Sequence, residues 1–161
     1  GGGGMILTNN DPIAEKARHI STTAKRKHQW EFFHDELGWN YRMPNINAAI
    51  GFAQMERIDY IIENKRETAQ RYAEWGRKNG VQFIHEMPET HSNYWLNAMV
   101  VKDKAEREEF LAYSNANGVQ TRPIWVLMNK LPMYKDSFAG PLENSLWLED
   151  RIVNVPSSVR V

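Results

Sequence analysis

The sequence predicts an α+β chain, and three observations carry that. Apolar residues recur at helical spacing through most of the first half, while short apolar runs bounded by turn residues take over after Gly80. Hydrophobic residues make up 42% of the 161 residues and charged ones 25%, a balance that supports a packed core and argues against disorder.

Taken in order, residues 1–4 are all glycine and precede the first methionine, Met5. They read either as an added leader or as native chain. Residues 5–8 form a short apolar stretch readable as a strand. Asp11 and Pro12 then open a helix, with Asp11 at the cap and Pro12 at the first turn; Ile13, Ala17, Ile20 and Ala24 follow at helical spacing, to an end near Lys25. Residues 25–43 show no period but hold Trp30, Phe32, Phe33, Trp39 and Tyr41. They read as an ordered loop buried against something. From Asn45 the stripe Ile46, Ala49, Ile50, Ala53, Ile58, Ile61, Ile62, Ala69, Tyr72 predicts one helix to about residue 78, closed by Asn79-Gly80. Some 34 residues at about 1.5 Å each would make it roughly 50 Å long, so it kinks or bridges two domains. Its composition changes from small and apolar to charged near Glu56, a domain junction. Strands are then expected over 81–84, 94–101 and 119–125, the last at an edge because of Pro123. A helix is expected over 104–115, a short helix over 142–149 and a last strand over 152–155.

Lys and Arg total 20, as do Asp and Glu, so the basic excess of a general nucleic-acid binder is lacking. There is no cysteine, which removes disulfides and thiolate metal sites and suits a reducing, cytoplasmic setting. No apolar run approaches the roughly 18 residues of a membrane span, and no signal peptide is visible. His28 and His34, with Asp35 beside the latter, lack a second cluster at ligand spacing, so no metal site is expected. Nucleophile elbows and lysine-bearing phosphate loops are also lacking.

Two constellations remain. Lys25, Arg26, Lys27 and His28 precede Trp30, and could clamp a diphosphate while the ring covers a planar face; alternatively they are a solvated helix end whose cations suit the C-terminal dipole. Asn40 and Arg42 lie between aromatic residues just before a helix N-terminus, where anions are favoured. There Asn40 either donates to an anion or caps a turn, and Arg42 either binds an anion or pairs with Asp35 or Glu36.

The run Gly38-Trp39-Asn40-Tyr41-Arg42-Met43-Pro44-Asn45-Ile46-Asn47-Ala48-Ala49-Ile50 resembles the DegT/DnrJ/EryC1/StrS family of nucleotide-sugar aminotransferases. The likeness extends to the initial glycines, to Arg122-Pro123-Ile124-Trp125, to Leu131-Pro132-Met133-Tyr134 and to residues 152–158. It covers essentially the whole chain and is nearest to the branch acting on 4-keto sugars. The resemblance implies the C-terminal part of a fold-type I transferase dependent on pyridoxal 5'-phosphate. Residues 1–45 would be the tail of a large cofactor-binding domain with an active-site and dimer loop. Residues 46–80 would be a linking helix, and 81–161 a small α+β domain with a short antiparallel sheet. The cofactor lysine, the acidic partner of the pyridine nitrogen and the ring-stacking aromatic would lie upstream of the native glycine run, so no catalytic residue is expected here. The chain alone should be inactive, and a large N-terminal domain should be its partner.

The activity implied is amino transfer from glutamate to a keto group of a nucleotide-linked sugar, for polysaccharide or glycan precursor synthesis, in a cytoplasmic homodimer. By the same resemblance, Asn40 and Arg42 match cofactor-phosphate positions across the dimer. Lys25, His28 and His34 lie in a loop approaching the nucleotide-sugar, and Tyr94, Trp95, Arg122 and Trp125 can close over it. Asn129 stands where histidine is expected. Two alternatives stay open: a non-catalytic nucleotide-sugar-binding or dimerisation module, and a related sugar dehydratase with histidine in place of the lysine.

Overall fold

The computed structural model describes residues 2–160, which fall into two compact units dividing between Ile58 and Asp59. Gly1, part of the glycine run, lies outside the described residues.

In the first unit, helix α1 spans Asp11–Ser21. Its cap is Asn10 rather than Asp11: the Asn10 carboxamide oxygen accepts from the Ile13 amide at 3.1 Å, which leaves Asp11 and Pro12 in the first turn. The helix ends four residues before Lys25, because Thr23 and Ala24 take positive φ angles of 68° and 49°. The strand expected over 5–8 does not form. That segment has no ladder partner among the described residues, and a lone strand leaves its hydrogen-bonding groups unpaired.

Residues 22–40 fold back as an irregular antiparallel excursion, with bridges between Thr22 and Asn40 and between Lys25 and His34. Ala24 is buried at its base. Gly38 is needed there, since a Cβ on it would stand 2.6 Å from the Ala24 nitrogen. The expectation that the aromatic loop is buried fails within this chain: Trp30, Phe32, Phe33 and Leu37 are exposed, Phe32 by 80%.

The single long helix is also corrected. Helix α2 covers Asn45–Met55 and helix α3 Ile58–Asn79. Between them the Glu56 amide donates to the Phe52 carbonyl, but that of Arg57 reaches back only three residues, to Gln54. This tightened turn interrupts the helix without glycine or proline, so the apolar stripe runs through it unbroken.

The second unit is an antiparallel sheet carrying helices. Strands β1 (Gln82–Phe83), β2 (Asn97–Val100), β3 (Arg122–Pro123) and β4 (Ile152–Val155) lie in the order β1-β2-β4-β3. Register sets Phe83 opposite Met99, Met99 opposite Val153, and Pro123 opposite Val153. Pro123 thus sits on an edge strand, where its lost donor costs little. Period-two alternation gathers Phe83, Met99, Val153 and Val155 into the core, flanked by Tyr72, Phe110 and Leu111. Tyr72 of α3 stacks on Phe83 with centroids 5.2 Å apart.

Helix α4 (Lys104–Ala116) starts with a reciprocal cap, the Asp103 carboxylate accepting from the Glu106 amide and the Glu106 carboxylate from that of Lys102. Both α3 and α4 close as the Asn-Gly pairs predict. Gly80 and Gly118 take φ of 71° and 78°, and the next amides, of Val81 and Val119, donate back to Gly76 and Ser114. Two 3-10 turns, Met128–Lys130 and Pro132–Tyr134, lead to helix α5, Glu143–Glu149.

Candidate functional site

The segment 39–43 runs beside the end of α1. Thr23 donates to the Trp39 carbonyl at 2.9 Å, and the amides of Trp39 and Tyr41 donate to Ile20 and Ser21 at 2.7 and 2.8 Å. The Trp39 and Tyr41 rings stack at 6.2 Å. The period of extended chain then puts Asn40 and Arg42 together on the other side. Neither side chain has a hydrogen bond or ion pair among the described residues. The local pairing considered for Arg42 is not made, because both carboxylates are held elsewhere. Asp35 takes Arg26 at 2.8 Å and His19 at 2.6 Å, and Glu36 takes Lys16. Arg26 first and His19 second hold the Asp35 carboxyl down at about 2.

Arg42 lines a groove of about 1060 Å³ inside this unit, together with Gly2, Gly3, Gly4, Arg18, Ser21 and Asn47. Asn47 donates to the Gly2 carbonyl at 2.7 Å, fastening the glycine run to α2. Sequence reasoning missed Arg18. Its only signal was a cation in the last turn of α1, indistinguishable from a helix-dipole partner. Two guanidiniums and neutral donors suit a phosphate. No lysine lines the groove, so it offers no amine to hold a carbonyl cofactor covalently.

The four-cation clamp does not assemble, and neither does its helix-end alternative, since α1 stops at Ser21. Lys25 lies 4.4 Å over the Phe32 ring, and Arg26 is bound to Asp35 and over Phe33. His28 Nδ1 accepts the Glu31 amide at 3.0 Å, with Trp30 edge-on at 5.1 Å. His34 Nδ1 donates to the Thr23 carbonyl at 2.7 Å. Lys25, His28 and His34 therefore shape the excursion that bears them. Ligand atoms of His19, Asp35 and Glu36 lie within 4.8 Å of one another, but Lys16 and Arg26 already neutralise that group.

In the second unit, Trp95 and Trp125 are brought together. Their rings stack at 6.2 Å and 30°, and both are about two-thirds exposed. Arg122 is exposed on β3, three residues before Trp125. Tyr94 turns inward: φ is 44°, its hydroxyl accepts the Glu86 amide at 3.3 Å, and Arg66 lies over its ring. Arg66 grips Glu86 through both carboxylate oxygens at 2.6 and 2.9 Å, and with the Ser92 amide keeps that carboxyl at about 2. A separate cleft of about 990 Å³ between α3, α4 and the sheet is lined by Tyr72, Trp75, Phe83 and Phe110, and by none of the expected site residues. Among the described residues, no helix is long and apolar enough to cross a membrane.

Comparison with known proteins places the chain among sugar aminotransferases in sequence and in fold. The chain is 33% identical over 159 residues to GDP-perosamine synthase of Escherichia coli O157:H7, covering 98% of this chain and 42% of that protein. It is 34% identical to GDP-perosamine synthase of Vibrio cholerae, covering 98% and 43%. It thus spans about two-fifths of the length of these relatives. The fold matches that of the aminotransferase TlmJ from Streptoalloteichus hindustanus, with a TM-score of 0.84 at 19% identity over 95% of this chain and 41% of that one. PseC of Helicobacter pylori, an aminotransferase involved in pseudoaminic acid biosynthesis, gives 0.84 at 18% identity, over 95% and 43%. The family model matches residues 1–161, and the chain belongs to the DegT/DnrJ/EryC1/StrS aminotransferase family.

Proposed function

We propose that this chain is the C-terminal part of a pyridoxal-phosphate-dependent enzyme that moves an amino group from glutamate to a keto group of a nucleotide-linked sugar. The observation that carries this is the pair Asn40 and Arg42, without a side-chain partner among the described residues, on one face of an ordered segment whose neighbouring Asp35 and Glu36 are engaged elsewhere. Arg42 and the groove it shares with Arg18 and the glycine backbone supply donors for a doubly charged phosphate. When bound, the cofactor supplies the electron sink for amino transfer.

The chain's own residues bind and orient. Asn40 donates to the phosphate from an uncharged amide and Arg42 from a charged guanidinium, both bonds being charge-assisted by the anion. The excursion bearing Lys25, His28 and His34 presents the exposed faces of Trp30 and Phe32 to a neighbouring surface. In a cytoplasmic homodimer that surface belongs to the second subunit, so each site is completed across the dimer. In the second unit Trp95 and Trp125 form an apolar wall that excludes water from the sugar, with Arg122 beside it for the diphosphate and Tyr94 holding the wall's base. The relatives named GDP-perosamine synthase support a nucleotide-linked substrate. Under this reading residues 1–45 belong to the large domain, 46–80 form the link and 81–161 the small domain.

The test is reconstitution. Alone, the polypeptide should give neither cofactor absorbance nor amino transfer. Joined to the remaining length of such an enzyme, it should give both. In the active assembly, Asn40→Ala with Arg42→Ala should weaken cofactor retention about 100-fold, from two lost charge-assisted contacts. Unchanged retention in that double variant would remove the proposal's basis.

A further inference from the structure

Glu149, the last residue of α5, is only 9% exposed. Taking a carboxylate out of water is costly unless it is paired and hydrogen-bonded. Here both oxygens face one loop: Oε1 accepts the Leu127 amide at 3.0 Å and Oε2 the Lys130 ammonium. The Lys130 contact, ahead of the Leu127 amide, keeps the carboxyl below its ordinary value. The Glu149 backbone carbonyl is fixed in turn by Arg107 of α4, so the anchor is tied to the core.

The loop so held carries Trp125. Pro123 is fixed by pairing with Val153 in the sheet, and Leu127 by Glu149. Trp125 is the middle residue between these two pins, and its ring stacks on Trp95 although both rings are largely exposed. Trp95 is pinned as well. Its amide donates to Asn93 Oδ1 at 3.0 Å, and its carbonyl accepts Lys65 Nζ at 3.3 Å. These contacts restrict the backbone on either side of each indole, and so remove rotamer and loop freedom that would otherwise oppose the stack.

We propose that Glu149 is a positioning residue, whose buried carboxylate locks the 123–130 loop so that Trp125 stands preformed against Trp95 as the wall that receives the substrate. The role of the wall rests on the function proposed above; the lock itself does not.

Stacked indoles give an exciton couplet in circular dichroism, which reads the Trp95–Trp125 geometry directly, and Trp125→Phe sets its baseline. Glu149→Leu fills the same volume without an acceptor, so a purely structural role would be satisfied by it. The expected result is a couplet reduced to the Trp125→Phe baseline while the melting temperature stays near or above that of the unaltered chain. Glu149→Gln, whose amide oxygen still accepts from Leu127, should restore most of the couplet. If Glu149→Leu does not fold, Lys130→Met, which removes the exposed partner alone, should lower the couplet partway. A full couplet in Glu149→Leu, or in Lys130→Met where that variant replaces it, overturns the lock. In steady-state amino transfer by the active assembly joined as above, Glu149→Leu should raise KM for the nucleotide sugar about fivefold with kcat nearly unchanged. Loss of the couplet with KM unaltered leaves the lock standing and removes the tryptophan pair from the substrate.

Discussion

In residues 59–161, Phe83, Met99, Val153 and Val155 are buried where α3 and α4 cover the sheet. Among residues 2–58, Ala24 is the single buried hydrophobic, while Trp30, Phe32, Ile46, Ile50 and Phe52 stand exposed. The two units contain similar apolar side chains but use them differently. A sheet that pairs all four of its strands can turn alternate residues inward and bury them within its own unit. A lone helix pair and an irregular excursion present one-sided surfaces with no layer to close on. The first unit is therefore held by local devices: the Asn10 cap, the Ala24–Gly38 contact and the Asp35 ion pairs.

That contrast can be broken most severely at the core. Val153→Asp should destabilise the second unit by about 4 kcal/mol or more, an unpaired charge in a fully buried position. Ile50→Asp on exposed α2 should change stability by under about 0.5 kcal/mol. Urea unfolding followed by circular dichroism measures both, and equal losses would erase the distinction.

Two helical glycines sharpen it. A Cβ on Gly76 of α3 would meet the Val81 carbonyl oxygen at 2.4 Å and Phe83 at 2.7 Å, whereas one on Gly51 of α2 meets nothing within 4 Å. Gly76→Ala should cost about 2 kcal/mol through overpacking, and Gly51→Ala should stabilise by about 0.5–1 kcal/mol through helix propensity. Thermal melts of the two variants should move in opposite directions, and a shared sign would contradict the packing described.

The smallest effect concerns pH. Asp35 and Glu86, one in each unit, are held at about 2, below ordinary values of 3.8 and 4.5. Because both folded values are lowered, each contribution is complete above the ordinary value and is lost as pH falls through about 2. Both are solvent-accessible, so the contributions to stability are small. Carboxyl NMR titration should find the two groups ionised at pH 3. Arg26→Leu should return Asp35 toward 3.8 and leave Glu86 unmoved, and a shift in Glu86 would show the two clusters coupled.

Legibility in the sequence followed the range of the interactions involved. The Asn-Gly closures of α3 and α4 depend on neighbours a few residues away and form as read, whereas the apolar run at 152–155, also read correctly, becomes a strand only by pairing with Asn97–Val100 far along the chain. The break at Glu56–Arg57 was visible only as a change of composition, because the apolar stripe continues across it. Asn40 and Arg42 stood out by their setting, but whether Arg42 pairs with Asp35 or Glu36 depends on Lys16, His19 and Arg26 arriving from α1 and the excursion. Arg18 showed only as a cation near a helix end and Glu149 gave no signal at all, since their neighbours in space lie roughly twenty residues away in the chain.

By itself the sequence determined the family motif, the helices α1, α4 and α5, and the Asn-Gly turns that close α3 and α4. Each is set by local backbone preference or by the period of a single element. Only the tertiary structure decided that one half buries its apolar residues and the other displays them, which cations pair with Asp35 and Glu36, and that Trp95 meets Trp125 across thirty residues. Those outcomes depend on which surfaces meet, and burial and charge pairing are settled between segments rather than within them.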